Sequence, residues 1–525
     1  MRGISRPIAG RSITRLLLCL ALVSGASALW ASNNTWEHFK NIRQGRATAD
    51  DAPPPPPEPP PPAPRTQPRS TAPAAPPPPA AATEPAVQQP AAPTELTAEQ
   101  RAEWREKKSQ EKLVTAPGEP TEKGGWWAFY LGTLHIGERP YFGPYGTDFK
   151  WAYSRKNPLP PSGRIVVSMH GSGAGEGAMR VFGPSAMGDI EVRTQDAETY
   201  SSDWREWWTF GPQGKPYPGR RIAAILKFVT QRYWIDPRKR GIVLEGPSMG
   251  GAGAVAQTMI LPDPWRSYIA YSSARAGVIM TRQINRKQPG QYRNFPPDNA
   301  ANKAIWDSID FSIQAAADPV VRGIHYRHAF SSDDMFSNGP GGNTQVEFVN
   351  LVEQHKIGGA FAWIKGGHGT QERGVRMPDL SRFEHPEQDV TLDRAHPAIT
   401  NSTGNWPLTA AERADEQRFP RGHYNLGVTW NHANIVDDTS QLVFPLKYTR
   451  RTGFGKDIPD QPEHITVSVT PRRTANFMLR DGETLRWRWD GGVLEGEAVV
   501  QGDTVTIDHI PLVSGERYKI LRIFR

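Results

Sequence analysis

The run Gly246-Pro247-Ser248-Met249-Gly250 follows the short apolar stretch Ile242-Val243-Leu244 and opens into Gly251-Ala252-Gly253-Ala254-Val255-Ala256. An apolar run, a glycine-bounded serine and a small-residue run read as strand, sharp turn and helix. The flanking glycines remove the Cβ atoms that would collide where strand and helix nearly touch. A serine held there is exposed on a strained turn, beside the N–H groups of a helix start that suit a developing negative charge. These residue types in this order fit nucleophilic attack on a carbonyl. Upstream, Ile222, Ile225, Leu226, Val229 and Trp234 recur at near-helical spacing, which predicts a helix over 221–234 that Asp236-Pro237 ends before the strand.

A serine hydroxyl is a weak nucleophile at neutral pH, so it needs a general base within reach and an acid that orients the base. The base is expected to be His368. Phe361-Ala362-Trp363-Ile364 reads as a core strand, and Lys365-Gly366-Gly367-His368-Gly369 is the flexible loop at its end. The acid is expected earlier, where the strand-like segment 323–330 ends in Ser331-Ser332-Asp333-Asp334, before a helix over 344–355. Asp333 is the first choice and Asp334 the alternative, since aspartates after a strand also act as turn formers or helix caps.

An oxyanion hole completes such a site. One donor is expected from the backbone N–H of Met249 and a second from Gly171 or Ser172, in the glycine-rich loop that follows the strand-like segment 164–169. In that loop Gly173-x-Gly175-x-x-Ala178 matches a dinucleotide fingerprint only loosely, because the third glycine is missing.

In chain order, His170-Gly171-Ser172-Gly173, Gly246-Pro247-Ser248-Met249-Gly250-Gly251, Ser332-Asp333-Asp334 and Gly366-Gly367-His368-Gly369 resemble the α/β-hydrolase superfamily. The flavour is that of secreted polyhydroxybutyrate depolymerases and feruloyl or acetylxylan esterases. The resemblance covers roughly 124–370, implies the α/β-hydrolase fold and acyl transfer through serine, and is weak for substrate. It implies no metal or organic cofactor. The chain departs from a compact esterase between Glu176 and Ile222, where about 50 residues rich in aromatics put the usual early strand and helix in doubt and suggest an altered lid or rim. Tyr200, Trp204, Trp207, Trp208 and Phe210 lie there, and Trp204, Trp207 and Trp208 are the candidate substrate-binding residues. Sugar and phenolic rings stack on such faces, although tryptophans are also ordinary core residues.

Arginines at 2, 6, 11 and 15, an apolar run over 16–23 and Ala26-Ser27-Ala28 predict a secretory signal peptide over 1–28, hence a secreted or periplasmic protein. The apolar run is short of the roughly 20 residues of a membrane-spanning helix, so a membrane partner is expected only if the segment remains as an anchor. The single cysteine, Cys19, lies in this segment, which leaves the mature chain without disulfides, thiolate catalysis or cysteine metal sites. The formal charge of +8 includes the four signal-peptide arginines and implies no nucleic-acid partner.

Residues 29–123 read as a spacer: 51–93 is almost wholly Pro and Ala and suits an extended polyproline-like chain, and 94–123 is a charged linker. Globular sequence then divides into a catalytic domain over 124–394 and a β-rich domain over 395–525. The second carries alternating segments around 464–469, 485–489, 504–507 and 518–521, with earlier strands at 425–430 and 441–448, the pattern of an antiparallel β-sandwich. Trp487 and Trp489 share one strand face, as core residues would. This region either completes the packing of the enzyme or binds a polymer. His325, His328, His423 and His432 fit no compact metal-ligand spacing.

The expected function is a secreted serine carboxylic-ester hydrolase acting on a polysaccharide acyl group or a polyester. The alternatives are a serine peptidase on the same fold and a non-catalytic polymer-binding protein on a hydrolase scaffold.

Overall fold

The computed structural model describes residues 121–123, 126–131, 151–156, 158–160, 163–171, 188–194, 207, 217–275, 299–334, 344–364, 367–368, 388–409, 422–451, 458, 461–490 and 494–525. The signal peptide, the Pro/Ala spacer, Ser172, Tyr200, Trp204, Trp208 and Phe210 of the sequence analysis lie outside these residues. No described helix is long and apolar enough to cross a membrane.

Along the chain the first strands are β1 (Thr121–Lys123), β2 (Trp126–Leu131), β3 (Trp151–Lys156), β4 (Ile165–Met169), β5 (Ile190–Thr194), β6 (Ile242–Pro247), β7 (Ile269–Arg275), β8 (His325–Ser331) and β9 (Gly359–Ile364). They form one sheet in the order β1-β2-β3-β5-β4-β6-β7-β8-β9. The run from β5 to β9 is parallel, while β1, β2 and β3 pair antiparallel at one side. Parallel strands covered on both faces read as nearly continuous apolar runs. β9, Gly-Ala-Phe-Ala-Trp-Ile, is buried throughout.

Helices cover one face. Tyr217–Tyr233 joins β5 to β6, Met249–Ile260 joins β6 to β7, and Thr344–Gln354 joins β8 to β9. Ile222, Ile225, Leu226 and Val229 of the first pack in one cluster with Ile165, Val167 and Met169 of β4. The helical spacing in 221–234 is therefore that of a core-facing stripe, and the helix starts earlier, at Tyr217. Asp236-Pro237 does more than stop it: the Asp236 carboxylate accepts from the N–H of Arg238 and caps a further turn, Pro237–Arg240. β5 supplies the early strand that the sequence left in doubt. Its polar residues hid it: Glu191 is buried, with Arg193 paired to it at 2.6 Å.

The remaining strands are β10 (His396–Thr400), β11 (Gly422–Tyr424), β12 (Val428–Trp430), β13 (Val436–Asp437), β14 (Gln441–Tyr448), β15 (His464–Arg472), β16 (Thr484–Trp489), β17 (Leu494–Val499), β18 (Ile507–Val513) and β19 (Lys519–Phe524). β10-β15-β18 is one antiparallel sheet, and β12-β14-β19-β16-β17, with β13 on β14, is another. Two expected strands are displaced. Positive φ at Asn425 (56°) and Gly427 (82°) makes a turn before β12, and β18 begins only at Ile507.

Residue 395 does not separate two independent bodies. β11 pairs antiparallel with β9 and so belongs to the main sheet. Val166, Val243, Ala270 and Tyr271, from β4, β6 and β7, share a single apolar cluster with Ile399, Val467, Phe444, Trp489, Ile510 and Leu521. The C-terminal strands thus provide the second cover of the main sheet. Trp489 is buried in that cluster and Trp487 packs against it. Arg472 donates to the carbonyls of His355 and Lys356, and Arg473 to those of Ser267, Ile269 and Gly323, so the last residue of β15 and the one after it tie this layer to the helical half.

Candidate active site

Ser248 lies between β6 and the helix Met249–Ile260 with φ 53° and ψ −122°. A non-glycine residue persists in this sparsely populated region only where its surroundings dictate it. The surroundings here are two backbone contacts. A Cβ on Gly246 would stand 2.5 Å from Met169 O, and one on Gly250 would stand 2.0 Å from the same atom, so strand, turn and helix meet β4 with no room for a side chain. The Ser248 N–H donates to Arg275 O at 2.8 Å, and Ser248 O accepts from Ala252 N at 3.0 Å.

Ser248 Oγ lies 2.5 Å from His368 Nε2. His368 Nδ1 lies 3.1 Å from both carboxylate oxygens of Asp334. Asp334 is fully buried, whereas the His368 side chain is 22% exposed and reaches solvent. With the carboxylate accepting from Nδ1–H, the Nε2 lone pair faces the serine hydroxyl, the tautomer a general base requires. The three residues come from the C-terminal ends of β6, β8 and β9.

The first choice of acid is corrected. Asp333 is exposed and accepts from the Ser332 hydroxyl at 3.2 Å. The Ser332 N–H extends the β8–β9 ladder to Ile364 O at 2.8 Å, and the turn closes through Asp334 N to Ser331 O at 3.3 Å. That turn sends the first aspartate to water and the second inward, a one-residue alternation that two adjacent identical residues cannot reveal in sequence.

Met249 is the first residue of its helix, so its N–H falls in the turn that has no intrahelical acceptor. Gly171 flanks the serine: a Cβ there would stand 3.4 Å from both Ser248 Cβ and Pro247 O. Trp207 is corrected as a substrate-lining residue. It is fully buried, donates from its indole nitrogen to His170 O at 3.0 Å, and packs against the ring of His170 with centroids 5.1 Å apart. Gly253 gives it room, since a Cβ there would fall 2.5 Å from Trp207 Cβ. The sequence signal for this was the spacing of Gly250, Gly253 and Gln257 on one helix face.

His325, His328 and His423 are buried apart from this site, and among the described residues no group of three or more His, Cys, Asp or Glu is arranged to hold a metal.

A largely parallel sheet of this order, a strained serine between the central strand β6 and a buried helix, and acid and base following at the ends of later strands define the α/β-hydrolase fold. No family model matches the chain, and no curated protein sequence matches it. Among solved structures the chain is similar to an S-formylglutathione hydrolase from Agrobacterium tumefaciens, at 13% identity and TM-score 0.37 over 48% of this chain and 91% of that one. It is also similar to a ferulic acid esterase, at 13% identity and TM-score 0.31 over 46% and 90% of the two chains. A third similar structure is an acylaminoacyl peptidase from Pyrococcus horikoshii, at 15% identity and TM-score 0.33 over 48% and 39%.

Proposed function

We propose that this protein is a serine carboxylic-ester hydrolase that works through an acyl-enzyme. The observation that carries the reading is the continuous relay Ser248 Oγ, His368 Nε2, His368 Nδ1 and Asp334 carboxylate, with contacts of 2.5 and 3.1 Å. In the first half-reaction the Ser248 oxygen bonds to the ester carbonyl carbon while its proton passes to His368 Nε2. The carbonyl oxygen becomes an oxyanion held by the N–H groups of Met249 and Gly171. The carbon–oxygen bond to the alcohol then breaks, and the alcohol takes the proton from Nε2. In the second half, water gives a proton to Nε2 as it bonds to the acyl carbon; the carboxylic acid leaves and Ser248 regains its proton. Asp334 remains a carboxylate throughout, stabilising the imidazolium that forms beside it.

The substrate class proposed is a polymer, either an acylated polysaccharide or an aliphatic polyester, and the location secreted or periplasmic. The leader-like first 28 residues and the Pro/Ala-rich spacer support this, because a tethered or exported catalyst suits a substrate that cannot diffuse to it. The test is hydrolysis of short- and long-chain p-nitrophenyl esters and of acetylated xylan and polyhydroxybutyrate films, with Ser248→Ala in parallel. Activity on a polymer that vanishes in the variant is the expected result. A wild type that resists both the esters and a fluorophosphonate label refutes the hydrolase reading, and activity on soluble esters alone refutes the polymer.

A further inference from the structure

We infer that Trp207 is a positioning residue for the oxyanion hole, an inference that rests on the hydrolase reading above. The peptide in question joins His170 to Gly171. In a trans peptide the carbonyl of one residue and the N–H of the next point in opposite directions within one plane. Trp207 Nε1 donates to His170 O at 3.0 Å, which fixes one end of that plane and thereby the direction of the Gly171 N–H at the other. Gly171 is the residue that stands against Ser248.

The indole is itself held by the helix that begins at the nucleophile. Gly253 leaves the space in which the indole lies, and the Gln257 side-chain amide donates to the backbone carbonyl of Trp207 at 2.5 Å. On the same helix face, a Cβ on Gly250 would stand 2.9 Å from His170 O. One helix stripe therefore sets the positions of Ser248, of the indole and of the 170–171 peptide together. The hydrogen bond to His170 O also polarises the peptide, which strengthens its N–H as a donor. Both effects favour the oxyanion over the ground-state carbonyl, so their loss falls on the chemical step rather than on substrate binding.

Trp207→Phe removes the indole N–H and keeps an aromatic ring in the cavity. The assay compares p-nitrophenyl acetate with its thiono counterpart, in which sulfur, a poor hydrogen-bond acceptor, replaces the carbonyl oxygen. For Trp207→Phe the expected result is a 10- to 100-fold fall in kcat on the oxygen ester, roughly the scale of a weakened oxyanion donor, with KM little changed. The thiono ester should lose far less, so the preference for oxygen over sulfur narrows about tenfold. Gln257→Met leaves the indole intact but releases the backbone that carries it, and should narrow the preference in the same direction by a smaller factor.

An unchanged kcat in Trp207→Phe, or equal falls on both esters with the preference retained, overturns the inference and leaves Trp207 a packing residue. If Trp207→Phe does not fold, the preference in Gln257→Met decides in the same way. A wild type that hydrolyses neither ester and takes no fluorophosphonate label overturns the hydrolase reading, and this inference with it.

Discussion

Asp333 and Asp334 differ by one position in a turn, and that difference separates a solvated carboxylate from one buried against His368. Asp334→Asn should lower kcat by about 10⁴-fold, the scale seen when the orienting carboxylate of a triad becomes an amide that favours the wrong imidazole tautomer. Asp333→Asn should stay within a few-fold of wild type; steady-state kinetics on one ester compares the two. Gly250 is constrained more severely. A methyl group there would stand 2.0 Å from the Met169 carbonyl oxygen, a backbone atom that cannot rotate away. Gly250→Ala should therefore yield little or no soluble folded protein, read by expression and circular dichroism, whereas Ser248→Ala should fold normally and be inactive. Gly482 has positive φ and open space around it, so Gly482→Ala meets only backbone strain and should cost about 1 to 2 kcal/mol by urea denaturation.

At the scale of strands, burial of histidines ties stability to pH. Burial holds His328 of β8 down to about 3 and His423 of β11 down to about 4, and it holds His396 of β10 well below its ordinary value, with nearby His325 adding to the effect. In the unfolded chain each takes up a proton below about 6.5. The unfolded state then binds more protons than the folded one, so this stability is fully present above pH 6.5 and is lost as pH falls toward the folded values. Each histidine contributes a slope of up to about 1.4 kcal/mol per pH unit. Glu191 and Glu353, raised by burial, have the opposite sign and offset part of the loss. The urea midpoint should be clearly lower at pH 5 than at pH 7.5; an equal midpoint contradicts the account.

Strands also show why some of the molecule was readable and some was not. The β6–Ser248–helix unit is legible because its requirements are local and contiguous: an apolar strand, two glycines and small residues. The helix Thr344–Gln354 and β9 are legible for the same reason, through periodicity and a continuous apolar run. β5 was obscured because the buried Glu191 is paired with the partly exposed Arg193, a pairing that composition does not announce. Trp207 was misread because aromatic density is the same whether a ring faces substrate or core. Its partners, Gly253 and Gln257, lie about 50 residues away.

For the whole molecule, the C-terminal strands act as structural cover for the main sheet, which favours the packing role over a detachable binding module. A chain ending at 394 would uncover the face that includes Val166, Val243, Ala270 and Tyr271, and would leave Asp389 beside Arg164 without the Trp430 indole that bonds its carbonyl at 2.9 Å. It should aggregate or bind a hydrophobic dye, as sedimentation and dye fluorescence would report; a soluble, active fragment would show that the two halves are independent. The pairing of β11 with β9 adds a matter of timing. A nascent chain that has emerged to residue 394 already contains Ser248, Asp334 and His368, yet it lacks the strand that closes the edge beside β9, whose end leads to His368. Contacts between segments so distant in sequence form late and slowly. The edge beside β9 is thus closed only once residues 422–424 have been made, so the ordered surroundings of Ser248, Asp334 and His368 are expected to be complete only late in synthesis.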